Sequence, residues 1–290
     1  LYSLLMLRRQ TSGSVVCASC GSLVGVNDDT CYSCGRRNPG LWGYAGAIRR
    51  LGSDLGFVQV VILGSSILYV LSLLMSNGQI GMNGLNLLAP SQRALVQLGA
   101  SGAWPLFVMD RWWTVLSAGW LHGSLLHILF NMYWVRQLGP ATADVFGPGR
   151  MVIIYTIAGA AGFLASSLAG AYLPGVPLLG GADLTVGASA SIFGLLGALV
   201  AYGRLRGDSA VRSQALTYAA MLFIFGLVMS GVDNWAHAGG FGGGYLAARV
   251  LDPMQRERVN HLIGALVCLA VTALAVLWSV VDFQRMLSGL

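Results

Sequence analysis

From Gly56 onward the chain alternates long apolar stretches with short polar breaks. The stretches lie near 57–76, 119–137, 151–172, 186–203, 215–232, 235–251 and 260–282. Several approach the roughly 20 residues a helix needs to cross the hydrocarbon layer of a bilayer. The pattern therefore predicts an all-α membrane protein, a polytopic bundle of seven helices. Residues 1 to about 48 are the opposite: polar, with paired arginines and no long apolar run. This divides the chain into a small module and linker over 1–48 and a membrane domain over 49–290. The opening LYSLLMLRRQ places its arginines after a very short apolar run, the reverse of a secretory leader. No cleavage is expected there, and Met6 is a candidate start.

Composition agrees with the pattern. Of the 290 residues 56% are hydrophobic and 10% charged, where a soluble domain carries about 25% charged residues. Forty glycines suit membrane helices packed closely enough for their backbones to touch. The net charge of +6 raises the question of nucleic acid, but the basic residues are all arginine, scattered singly or in pairs between apolar stretches. That distribution is one of loop anchors and not of a phosphate-binding stripe, so no nucleic acid partner is expected. Arginine without lysine also points to a GC-rich genome and a bacterial cytoplasmic membrane.

Arginines set the orientation. Arg49 and Arg50 precede the first span, Arg136 and Arg150 flank the second loop, and Arg204, Arg206 and Arg212 fill the fourth. Arg249, Arg256 and Arg258 border the sixth, whereas the third and fifth loops hold none. The positive-inside rule puts the N-terminus in the cytoplasm and the C-terminus outside. The long first loop, 77–118, is rich in tryptophan and reads as a structure lying at the outer headgroup level.

Against this apolar background the polar residues inside spans stand out. His122, His127 and Asn131 open the second span, Ser189 the fourth, and Asn234 and His237 the sixth. All three spans run from outside inward, so their polar groups gather in the outer half of the bilayer, where intramembrane polar residues suggest function. His127 and Asn131 are four apart and share a helix face. Ser189 and Ser191 are two apart and face nearly opposite ways. The third loop, YLPGVPLLGGADL, can dip into the membrane if protein buries it, which starts the fourth helix at the depth of the histidines. Ala236, Gly240 and Gly244, with Gly187, Gly194 and Gly197 on the fourth span, form small faces that bring Ser189 within reach of His237. Each residue alone has an ordinary reading: a serine bonding back to the preceding turn, an interhelical histidine, a packing glycine.

The N-terminal segment carries CASC at 17–20 and CYSC at 31–34. Two such knuckles aim Cys17, Cys20, Cys31 and Cys34 at one tetrahedral ion, and zinc is the reading favoured over two disulfides or a redox pair. A reducing cytoplasm strengthens it. Cys268, alone in an apolar run, reads as an inert buried thiol.

Taken together, VGASASIFGLLGAL, HGSLLHILFNM and DNWAHAGGFGGG resemble the three signatures of rhomboid intramembrane serine proteases, in the family's order, over about 56–252. The resemblance implies six rhomboid-type helices, with 260–282 added as a seventh and a zinc-ribbon-like module in front. It also implies a Ser189 nucleophile with a His237 general base, and an oxyanion hole of His127, Asn131 and the Ser189 backbone N–H. Phe193 would pack against the catalytic histidine, and His122 would border the cavity. No cofactor is implied for catalysis; structural zinc is expected only at the cysteines. Expected partners are transmembrane protein substrates, the lipid bilayer and an unidentified cytoplasmic partner of the module. A catalytically silent rhomboid-like protein that binds membrane-protein clients is the alternative. Ala190 stands where the family commonly has glycine, and the family's Trp-Arg pair reads Trp113-Thr114, with Arg111 nearby.

Overall fold

The computed structural model describes residues 8–173, 180–229, 231–255 and 257–288. Expectations resting on residues 1–7, on the middle of the third loop (174–179) and on the Arg256 anchor lie outside the described residues. The chain divides into two compact units, Leu1–Gly56 and Phe57–Leu290.

In the first unit, β1 (Ser14–Val16) and β2 (Leu23–Gly25) pair antiparallel, Val15 opposite Val24. Each CxxC closes in the same way. Gly21 N–H donates to the Cys17 carbonyl at 3.1 Å, and Gly35 N–H to the Cys31 carbonyl at 2.8 Å. Both glycines are left-handed, with φ of 80° and 69°, a conformation glycine adopts without Cβ strain. With the short helix α1 (Ala45–Arg49) the unit gathers a small apolar cluster of Val15, Cys17, Val24, Val26, Cys31 and Ala45. So small a core leaves the cysteines to supply much of the stability.

The second unit is helical: α2 (Phe57–Leu74), α3 (Gln92–Leu98), α4 (Thr114–Ser117), α5 (Leu125–Phe146), α6 (Pro148–Tyr172), α7 (Ser189–Arg206), α8 (Ser209–Val228), α9 (Asn234–Val250) and α10 (Val259–Ser288). α2 and α5 to α10 overlap the seven apolar stretches in order. The second stretch is displaced, however: its helix begins at Leu125 and runs to Phe146, whereas hydropathy placed it over 119–137. Ser124 is extended and its hydroxyl accepts from His127 N–H, which caps the helix there. At the other end Leu138, Gly139, Thr142, Ala143 and Phe146 are buried, so protein contacts continue the helix past Arg136 and through Pro140.

Among the described residues α2, α6, α8 and α10 are long and apolar enough to cross a membrane. α5, α7 and α9 carry polar or glycine-rich sequence instead, and of these three the fold encloses α7. α7 is the centre: 13 of its 18 residues are buried. α9 lies along it backbone to backbone. A Cβ on Gly240 would strike the Ala190 carbonyl, one on Gly244 the Gly194 backbone, and one on Gly197 the Phe241 carbonyl. α6 closes the other side, with Gly162 against Ala236 and Ala190. α8 and α10 turn Ile224, Leu227, Val228, Leu266 and Leu274 outward.

Neighbouring glycines of α9 should therefore respond with opposite signs. Gly244→Ala should destabilise by about 1–3 kcal/mol through overpacking. Gly242, with nothing within 4 Å of its would-be Cβ, should gain about 0.5–1 kcal/mol of helix preference as alanine. Unfolding of the two variants in detergent micelles checks both.

Candidate active site

Ser189 is the first residue of α7, where backbone N–H groups have no intrahelical acceptor. What holds it there is the irregular segment before it. Ser101 and Thr185 exchange backbone hydrogen bonds of 3.1 and 2.7 Å, Ala103 N–H donates to Ala182 and Trp104 N–H to Asp183, and Gly187 N–H reaches Ala118. Irregular backbone at membrane depth must find its partners in protein, and these bonds supply them.

α9 begins from the same anchor. Asp233 caps it, one carboxylate oxygen accepting from Ala236 N–H at 3.0 Å. The other accepts the Ser166 hydroxyl of α6 at 2.5 Å, and Ser166 Oγ in turn accepts from Ala182 N–H at 3.3 Å. One carboxylate thus couples the start of α9 to the segment that leads into α7.

His237 lies one turn into α9 and is 6% exposed. Its ring stacks on Phe193 of α7, with centroids 4.2 Å apart and planes 15° from parallel. Nδ1 lies 3.2 Å from Asn234 Oδ1. A carbonyl oxygen only accepts, so this contact puts the proton on Nδ1 and leaves the lone pair on Nε2. His127 has the reverse arrangement: its Nδ1 accepts from Gly123 N–H at 3.3 Å, so Nε2 carries the proton. Its Nε2 lies against Gly187, where a Cβ would come within 2.5 Å. Asn131 donates through Nδ2 to the His127 carbonyl at 2.9 Å, and its buried Oδ1 has no partner among the described residues.

Ser189, His237, His127, Asn131 and Phe193 line one cavity of about 1930 Å³. The Ser189 hydroxyl makes no hydrogen bond to a described residue, so it and the His237 imidazole share that cavity without being bonded to each other. Ser191 packs instead on Gly159 of α6. His122 departs from expectation. It does not border the cavity but is fully buried, its ring edge-on to His127 at 5.2 Å, and both its nitrogens are without a partner among the described residues. The expected seam role of Gly187 is also corrected: it seats His127, with φ at 129°, and is not part of the α7–α9 contact. Sequence reading passed over Asn234 and Asp233 as site residues. Their spacing was the available signal: three residues before His237 and three before Ala236, with Asp233 an N-cap type.

The four N-terminal thiols also meet. Their sulfurs all lie within 4.8 Å of one another, with Cys17–Cys34 at 3.8 Å and Cys20–Cys31 at 3.6 Å, and none is in a disulfide. Tetrahedral thiolates around an ion with metal–sulfur bonds of about 2.3 Å would be about 3.8 Å apart, so the set fits such an ion. The Ser22 hydroxyl and backbone N–H hold the Cys20 thiol down, at about 6, while the facing Cys20 pushes the Cys34 thiol up to about 11.

Gly187 generates a test of this geometry. Gly187→Ala should destabilise by about 1–3 kcal/mol, through the collision with His127 and the unfavourable φ. Adding His127→Ala should restore part of the loss, since only the backbone cost then remains. Unfolding midpoints of the single and double variants measure it.

Comparison with known proteins gives this arrangement a context. A family model described as the Rhomboid domain matches residues 109–254, half of the chain. RHOMBOID-like protein 4 of Arabidopsis thaliana is 32% identical over 170 residues, covering 57% of this chain and 40% of that protein. RHOMBOID-like protein 7 of the same plant is 34% identical over 171 residues, 57% of this chain and 51% of the relative. Rhomboid protease GluP of Bacillus subtilis is 30% identical over 170 residues, 57% of this chain and 31% of that protein. The chain thus spans about half or less of the length of these relatives.

Proposed function

Since the chain belongs to the rhomboid family and is an integral membrane protein, we propose that it is an intramembrane serine endopeptidase. Its substrates are membrane proteins cut in or near a transmembrane segment. The observation that carries this reading is the shared cavity of Ser189 and His237, with the imidazole stacked on Phe193 and held through Nδ1 by Asn234.

In this mechanism Ser189 Oγ attacks the substrate carbonyl as His237 Nε2 takes its proton. The C–O bond that forms leaves a tetrahedral oxyanion, met by His127 Nε2–H, an Asn131 Nδ2–H and the Ser189 backbone N–H. The same proton then passes from His237 to the leaving amine as the C–N bond breaks. Water, deprotonated by His237, hydrolyses the acyl-enzyme and regenerates Ser189. Each oxyanion donor is worth about 2.7–4 kcal/mol to the transition state. A substrate helix must unwind to expose a peptide bond, so Gly, Pro or Ser near its outer end favours cleavage.

The same reading places the N-terminus and the cysteine module in the cytoplasm and the C-terminus outside, as the loop arginines direct, in a bacterial cytoplasmic membrane. Cys17, Cys20, Cys31 and Cys34 hold a structural zinc ion, which supplies folding energy to a module with little core, and the module engages a cytoplasmic partner. A silent, client-binding protein is the second reading, favoured by the absence of a Ser189–His237 hydrogen bond.

Two measurements decide. A fluorophosphonate probe should label wild-type protein and Ser191→Ala but not Ser189→Ala, and His127→Ala should slow labelling by about 10²–10³. Folded wild-type protein that takes no label favours the silent reading. Separately, elemental analysis should find one zinc per chain, lost in Cys31→Ser and kept in Cys268→Ser.

A further inference from the structure

The seventh long helix, α10, lies wholly beyond the matched family region, which ends at residue 254. Its outer half nevertheless bears on the cavity through two consecutive residues. Asp282 forms an ion pair with Arg111, Nε to Oδ2 at 3.0 Å, and Arg111 is fully buried while Asp282 is 24% exposed. The other guanidinium nitrogens donate to the Val96 carbonyl of α3 and the Ser279 carbonyl of α10, both at 2.7 Å. Trp113 donates its indole N–H to Ser279 Oγ at 3.0 Å and meets Trp278 edge to face. Gly99, the left-handed cap of α3, lets this packing close, because a Cβ there would collide with the Ser117 and Ser279 hydroxyls.

A guanidinium cut off from water is tolerable only when paired and fully hydrogen-bonded. Arg111 is paired with Asp282 and hydrogen-bonded through its two terminal nitrogens, by partners that lie outside the matched region. The residue after Asp282, Phe283, lines the same cavity as Ser189 and His237, together with Arg93, Val96 and Trp104 of the clamped loop. α10 therefore both holds the loop over 91–120 and adds an aromatic wall to the cavity.

We propose that α10 is a working part of the site: the Arg111–Asp282 pair fixes the outer loop, and Phe283 selects which transmembrane segments dock by the bulk of the side chain that meets it. This rests on the protease reading, and the experiment separates the two. Full-length protein in proteoliposomes is labelled at Ser189 with a fluorophosphonate. Single-span peptides that differ in the size of one residue near the outer end compete with the label, so docking is scored whether or not a peptide is cut. Phe283→Ala should shift the ratio of half-blocking concentrations toward bulky peptides by at least about tenfold, the scale of one methylene in an apolar pocket. Phe283→Trp should shift it the other way. Leu274→Ala, altering an outward-facing residue of α10, should change nothing. Asp282→Asn should weaken every peptide and raise hydrogen exchange across 91–120, and Asp282→Glu should restore both.

An unchanged ranking in both Phe283 variants overturns the selectivity role. Exchange across 91–120 that stays at the wild-type level in Asp282→Asn overturns the clamp. Failure of folded wild-type protein to label sinks the protease reading and the selectivity role with it, while the exchange measurement still decides the clamp.

Discussion

The direct contact of the α7 and α9 backbones is the constraint on which the rest of this molecule depends. Gly240 and Gly244 remove the side chains that would separate the two helices, and Ala190, Gly194 and Gly197 do the same from the other side. Without an aqueous hydrophobic effect between membrane helices, such close approach is a main source of helix affinity. It also sets distances. With the axes this close, Phe193 stacks on His237 at 4.2 Å, and a hydroxyl one turn from Phe193 opens into the cavity that the imidazole lines.

Close packing fixes the lateral position of the helices but not their depth. Depth comes from polar bonds at their starts. Asp233 binds Ser166, Ser166 binds the segment entering α7, and that segment is stitched by backbone bonds to 101–104 and 118. Each bond satisfies a group that lipid would leave bare. Ser189 and His237 are therefore held in register by a carboxylate, a hydroxyl and a short irregular ladder.

Much of this was legible in the residues. Apolar runs marked the long helices, the four-residue spacing of small residues marked the seam, and the paired CxxC marked the cysteine cluster. The start of α5 was not, because hydropathy counts Gly119, Trp120 and Leu121 as span while an extended Ser124 decides where the helix begins. The seat of His127 on Gly187 was hidden because a glycine in a G-A-S run reads equally well as a packing residue. Asn234 looked like one more polar residue until its amide was found on Nδ1. Arg111 and Asp282 are separated by 171 positions, and no local pattern relates residues so far apart.

The polar and glycine-rich helices carry a consequence for how the chain reaches its membrane. α5, α7 and α9 hold the polar residues that line the cavity and are the least suited to partition into lipid as solitary segments, since glycine, serine, asparagine and histidine weaken insertion. α6 and α8 flank α7 in the chain and are long and apolar enough to cross a membrane. Integration of α7 is thus coupled to its neighbours during synthesis, and α9 can settle only once a surface of small residues awaits it. Biogenesis of such a chain is cooperative, and a lesion in one inert outer helix would be felt as retention or degradation of the whole.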